Sequence, residues 1–154
     1  MIHIEVDDRD FQHSIKRLRG SVNDKKLWAA MGEKLLRTHR KRFLQEKSPE
    51  GYKWKERSAV SEKIRARGKP KPKHHSILKH QGRLAQTLRY QASHSGLLLG
   101  SDLPYAAIHQ FGGKFKMFGK HTVEMPARPF LGVSKTDGQM IERLIVNHLA
   151  KQIR

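Results

Sequence analysis

From Leu27 to Phe43 the apolar residues recur as Leu27, Trp28, Met31, Leu35, Leu36 and Phe43. Those intervals place them on one stripe of an α-helix, because a helix completes a turn in about 3.6 residues. Lys34, Arg37, Arg40, Lys41 and Arg42 take the remaining positions. The pattern predicts the longest element of the chain and the backbone of its domain. It opens near Asn23 or Asp24, whose side chains can accept the free amide hydrogens of a first turn. It closes before Ser48-Pro49-Glu50-Gly51, a turn signal. The rest of the chain has to cover that stripe.

The other segments are shorter. Ile2, Ile4 and Val6 alternate with His3 and Glu5, as a half-buried strand does. Asp7 or Asp8 can cap a helix carrying Phe11, Ile15 and Leu18, with Gly20 as its stop. Leu84 and Leu88 share a face of a short helix; Tyr90 and Ala92 continue as a strand. Ser93-His94-Ser95-Gly96 turns it, and Leu97, Leu98 and Leu99 return as a buried strand, so 87–100 is a hairpin. Pro104 to Gln110 opens a short helix that Gly112-Gly113 closes. Lys114 to Glu124 forms a second hairpin with Phe115, Met117 and Val123 inward and Gly119 near its tip. Pro126 to Gly132 is rigid and non-helical. Asp137 caps a last helix bearing Met140, Ile141, Leu144, Ile145, Leu149 and Ile153. The expected fold is α+β: a small antiparallel sheet packed against long N-terminal and C-terminal helices, in one domain over residues 1–154.

Charge constrains the partners more than the fold. The 154 residues hold 32 Lys and Arg against 14 Asp and Glu, a net +18. A subunit so charged repels its copies and seeks polyanions or acidic surfaces. From Lys63 to Ser101 there is no acid. Within it, Lys69-Pro70-Lys71-Pro72-Lys73 resists a helix, since each proline lacks a donor and restricts its predecessor. The reading is an exposed, extended basic loop at about 62–76. Its Lys63, Arg65, Arg67, Lys69, Lys71 and Lys73 suit phosphate contacts, with Tyr52 and Trp54 placed to stack on bases. The same loop suits an acidic protein surface, or plain solvation.

Catalytic chemistry finds little support. The absence of Cys removes disulfides and thiolate ligands. Ten histidines invite a metal, but Asp102 and Glu124 are the only acids between residues 63 and 136. Ser101, Asp102 and His109 have triad chemistry without a nucleophile turn around Ser101, which reads instead as a turn and helix cap. Gly112-Gly113 has the wrong neighbours for a phosphate loop. No apolar run approaches the ~20 residues of a membrane span, and Met1-Ile2-His3-Ile4-Glu5 lacks the pattern of a secretory leader. No cofactor and no metal are expected.

Four segments together resemble the phage virion morphogenesis family of tail-completion proteins of Mu-like and related contractile-tailed phages. Ser48-Pro49-Glu50-Gly51-Tyr52-Lys53-Trp54 looks like its Pro-x-Gly-x-x-Trp turn. Ile77-Leu78-Lys79-His80-Gln81-Gly82-Arg83-Leu84 is similar to its Ile-Leu and Gly-Arg-Leu segment. Tyr105-Ala106-Ala107-Ile108-His109-Gln110-Phe111-Gly112-Gly113 matches best, followed by Pro126-Ala127-Arg128-Pro129-Phe130-Leu131-Gly132. The resemblance spans about residues 45–135. Lys55-Glu56-Arg57-Ser58 and the Lys/Pro run at 69–73 depart from it.

The resemblance implies a non-enzymatic virion component that completes the tail at its head-proximal end. It implies a ring on the tail tube, six-fold, made in the host cytoplasm and carried in the tail or neck. Implied partners are its own copies, tail-tube and neck or connector proteins, and non-specifically the packaged DNA, with no membrane. Tyr105, His109, Phe111, Arg128 and Phe130 are then candidate subunit or partner contacts, since aromatics and arginine anchor interfaces. The competing reading makes Tyr105, Ile108, Phe111, Phe130 and Leu131 core, with Arg128 bonded to backbone carbonyls. Two other functions stay open: a stand-alone basic nucleic-acid-binding protein, and a nuclease using His109 and Asp102.

Overall fold

The computed structural model describes residues 16, 20, 22–69, 76–117, 119 and 121–153. The strand expected at 2–6 and, apart from Lys16 and Gly20, the helix before residue 21 lie outside the described residues. The long helix is α1, Lys25–Gln45. Asp24 caps it, its carboxylate accepting from the Lys26 amide at 2.8 Å. Leu27, Met31, Leu35, Leu36 and Phe43 are buried, and His39 and Arg42 with them. Glu46 ends the helix in the left-handed region, φ 54°, uncommon for a residue with a Cβ. Its own groups hold it there: the carbonyl accepts from Trp54 at 2.8 Å and the carboxylate from the Ile77 amide at 2.6 Å. The turn after it closes with Gly51 donating to the Ser48 carbonyl and Ser48 to that of Tyr52. This returns Trp54 edge-on to Phe43, centroids 5.5 Å apart.

Ala59–Arg67 is a helix, α2. This corrects the extended loop expected from residue 62. Ser58 caps it, accepting from Ser61 at 3.2 Å, and Glu62 in the first turn pairs with Arg57. The prolines that resist a helix begin only at Pro70. α2 buries none of its residues, and Arg65 on it is half-buried.

A short helix, α3 (Arg83–Gln86), leads into β1 (Arg89–Ala92) and β2 (Leu97–Gly100). They pair antiparallel from Arg89 with Gly100 to Ala92 with Leu97, and the ribbon lies against α1. The buried triple-leucine strand is corrected: Leu98 is 72% exposed, and Leu97 and Leu99 are half-buried. Side chains alternate across a strand, so only Leu97 and Leu99 turn inward. Next come α4 (Ala106–Phe111) and a hairpin of β3 (Gly113–Met117) and β4 (His121–Met125), with Phe115 opposite Val123. The described strands thus form two separate two-stranded sheets.

The closing helix, α5, spans Lys135–Ile153. Asp137 is its third residue; the cap is Ser134. The two reciprocate: the Asp137 amide donates to Ser134 Oγ at 3.1 Å, and the Ser134 amide and hydroxyl donate to Asp137 Oδ2 at 2.9 and 2.6 Å. α5 packs on α1. Asp137 at its start meets Arg42 near the end of α1, and His148 near its end lies 3.5 Å from Asp24 at the start of α1. The two helices therefore run antiparallel. The core collects Phe43, Trp54, Leu84, Leu88 and Phe130 between α1, α3 and the segment before α5.

Candidate partner-binding cleft

Pro126 to Gly132 has neither helix nor ladder, so its backbone groups need partners from elsewhere. The Arg128 amide donates to the His109 carbonyl at 2.7 Å, and side chains supply other partners. Trp54 Nε1–H donates to the Pro129 carbonyl at 2.7 Å. Gln110 accepts from the Phe130 and Leu131 amides at 3.0 and 2.9 Å and donates to the Leu131 carbonyl at 2.9 Å. Arg42 donates to the Gly132 carbonyl at 2.6 Å, and His39 Nε2 accepts from the Gly132 amide at 3.2 Å. His39 Nδ1 lies 2.6 Å from the Leu35 carbonyl. The ring is therefore a neutral Nδ1–H tautomer, and burial lowers its pKa. Gly132 (φ 146°) leaves no room for a Cβ, which would stand 2.7 Å from Pro49. The segments that carry the sequence resemblance thus converge on one scaffold.

Beside that scaffold is a cleft of about 960 Å³. Residues 55–58, α2, residues 77–84, α4 and the β3–β4 hairpin enclose it. Arg128 closes one side. Its Nε and Nη2 donate to the Lys55 and Glu56 carbonyls at 2.6 and 3.0 Å, and Nη1 reaches Met125 Sδ at 3.7 Å. These bonds clamp residues 55–56 to the strand end. Burial, and then the charge of Arg57, lower the pKa of Arg128. Arg57 donates to the Ser76 carbonyl at 3.0 Å and pairs with Glu62, which Arg65 also approaches at 3.9 Å. Two arginines share one carboxylate, so the potential in the cleft is positive. His109 follows suit: burial first, then Arg128, lowers its pKa. The Tyr105 ring stands edge-on to it at 6.0 Å. Among the described residues, buried His109 Nδ1 has no hydrogen-bond partner. The remaining wall is apolar, with Ile77, Leu78, Phe115, Val123 and Pro126.

The cleft brings together Tyr105, His109, Arg128 and Arg65, which sequence placed in two separate groups. Phe111 does not line it; it is 78% exposed at the end of α4. Phe130 and Arg128 are 0% and 4% exposed inside the subunit, which favours the core alternative for both. Phe130 packs on Phe43 at 5.3 Å, and the bonds of Arg128 to two carbonyls are those that alternative required. Lys63, Arg67 and Lys69 are exposed on and just after α2, while Lys71 and Lys73 lie outside the described residues. Ser101, Asp102 and His109 do not assemble as a triad: Asp102 pairs with Arg89 at 2.7 Å, and Ser101 Oγ accepts from the Leu103 amide. No group of three metal-ligating side chains occurs among the described residues. Sequence reasoning missed His39, Arg42, Gln110 and Arg57. The first two were legible, since Leu35, His39 and Arg42 fall at intervals of four and three on the buried stripe.

The architecture is that of a small α+β protein whose motif residues brace one irregular segment beside a cationic cleft. The sequence profile of the phage virion morphogenesis family matches residues 6–150, and the chain belongs to that family. It is similar to the "Putative capsid assembly protein G" of Escherichia phage Mu, 37% identical over 79 residues, 51% of this chain and 50% of the relative. It is 35% identical over 85 residues to the "Mu-like prophage FluMu G protein 2" of Haemophilus influenzae, covering 52% and 60%. The chain thus spans about half the length of these two relatives. The "Tail completion protein S" of Escherichia phage P2 is 27% identical over 150 residues, 92% of this chain and 99% of that one. No solved structure matches. Among the described residues no helix is long and apolar enough to cross a membrane.

Proposed function

We propose that this chain completes the phage tail at its head-proximal end, as a closed ring of its own copies on the tail tube, without catalysis. The observation that carries this reading is the near end-to-end likeness to the P2 tail completion protein, 92% of one chain and 99% of the other. Membership of the virion morphogenesis family supports it. Phe111, exposed where α4 ends, supplies a rigid aromatic contact between subunits; Tyr105 and His109 face the cleft and a partner. Lys63, Arg65, Arg67, Lys69, Lys71 and Lys73 form a cationic stretch toward packaged DNA or an acidic tube or neck protein. Subunits of charge +18 need such an offset to stand side by side. The working place of the chain on this reading is the virion tail or neck.

The test is electron microscopy of lysates from a phage carrying a stop codon in this gene. Filled heads beside separate or overlong tails are the expected result. Normal infectious particles would remove the role.

A further inference from the structure

The cleft has a cationic rim and carbon walls. Lys55, Arg57, Arg65, Arg83 and Arg128 stand around it against Glu56 and Glu124. Arg57, Arg65 and Arg128 are engaged within the subunit, and Lys55 and Arg83 are exposed. A phosphate backbone would meet those two cations and leave Ile77, Leu78, Phe115 and Val123 uncovered. The fitting occupant is a peptide with carboxylates and alternating apolar side chains.

The chain contains a segment of that chemistry. Ile2-His3-Ile4-Glu5-Val6-Asp7-Asp8-Arg9-Asp10 holds four of the 14 acids against one arginine. Ile2, Ile4 and Val6 alternate with polar residues, so an extended peptide of this sequence is apolar on one edge. These residues lie outside the described ones, and the match is one of sequence to cleft. We propose that the cleft receives residues 2–10 of a second copy of this chain. Carboxylates set beside Lys55 and Arg83 offset the repulsion between +18 subunits, and the apolar edge covers the carbon walls. The proposal rests on the reading of the chain as a self-assembling subunit.

The absence of native Cys makes engineered thiols the only ones present. Full-length Val6→Cys chain is mixed with full-length Ser61→Cys chain under mild oxidation; Ser61 lines the cleft. A covalent dimer of one chain of each kind is expected, roughly tenfold faster than with Val133→Cys, an exposed position that does not line the cleft. Adding Lys55→Glu and Arg83→Glu, both exposed, should cut the rate roughly tenfold. Lys34→Glu with Lys41→Glu, exposed on α1, should leave it unchanged. Equal rates for the two thiol pairs would overturn the cleft assignment. A Val6→Cys, Ser61→Cys double variant that closes within one chain and never between chains would overturn the second copy.

A second measurement does not depend on thiol geometry. A fluorescein-labelled peptide of residues 2–10 is titrated into full-length chain whose own Glu5, Asp7, Asp8 and Asp10 are changed to amides. Saturable binding is expected, lost when the peptide carries Ser at Ile4 and Val6. Undiminished binding of the serine peptide, or stronger displacement by a short oligothymidylate than by unlabelled peptide, would overturn the proposal. Failure here alongside abnormal tails in the stop-codon phage removes the exchanged segment and leaves tail completion standing.

Discussion

Gly32 lies in the middle of α1, where glycine costs roughly 0.5–1 kcal/mol relative to alanine. The reason is the ring of Tyr90 from β1: a Cβ on Gly32 would stand 2.4 Å from Tyr90 Cδ2. The ring cannot swing away without losing the bond its hydroxyl donates to Glu33 at 2.8 Å. Gly32→Ala should therefore destabilise by about 1–3 kcal/mol despite the better helix propensity. The Gly32→Ala, Tyr90→Ala pair should cost less than the sum of the singles, read by calorimetry. His39 and His109 make a second point at this scale. Burial lowers both pKa values in the fold, whereas the unfolded chain binds protons at the ordinary imidazole pKa of about 6.5. Stability from these two groups is complete above that pH and is lost as pH falls below it toward their lowered pKa values. The melting temperature should decline across that window, and His109→Gln should make the decline shallower. An unchanged slope would show that His109 carries no such linkage.

At the scale of elements, what sequence made legible depended on periodicity. α1, the first hairpin and α5 announced themselves through apolar spacing, because packing of α1 against the other two imposes it. The second hairpin showed its alternation although Phe115 and Val123 line the cleft. α2 has no buried residue and so no stripe to read; its signals are local, the Ser58 cap and Glu62 in the first turn. Prolines a few residues on obscured them. Such a helix depends on its ends. Ser58→Ala should cost about 1 kcal/mol locally, which raises amide exchange in α2 roughly fivefold, with little change in the global melt. Exchange rates unchanged at residues 61–67 would show that the cap is dispensable. The cleft was legible only in pieces. Tyr105, His109 and Arg128 stood out by motif and Arg65 by charge, but nothing in the spacing said that α2 faces α4. Arg57 carried no signal, since an arginine bonded to a distant carbonyl looks in sequence like any other.

For the molecule as a whole, the decisive contact is Arg42 with Asp137, 2.5 Å apart and nearly inaccessible to water. It joins α1 to α5, and the same guanidinium holds the Gly132 carbonyl. Removing one partner strands a buried charge, so Asp137→Ala should cost about 3–5 kcal/mol, a large share of the roughly 5–15 kcal/mol of a typical domain. Denaturant titration checks this. Replacing both, as Arg42→Met with Asp137→Leu, should recover much of the loss; equal loss in the double variant would assign the cost to packing. The arrangement also bears on synthesis. Trp54, Gln110, His39 and Arg42 all leave the ribosome before the segment they brace, and the counter-charge of Arg42 follows that segment. A nascent chain stopped between Gln110 and Pro129 holds a guanidinium, an indole and an amide whose acceptors were never translated. Termination in that interval should therefore leave the long helix without its brace, and a chain ending at residue 120 should show no cooperative melt.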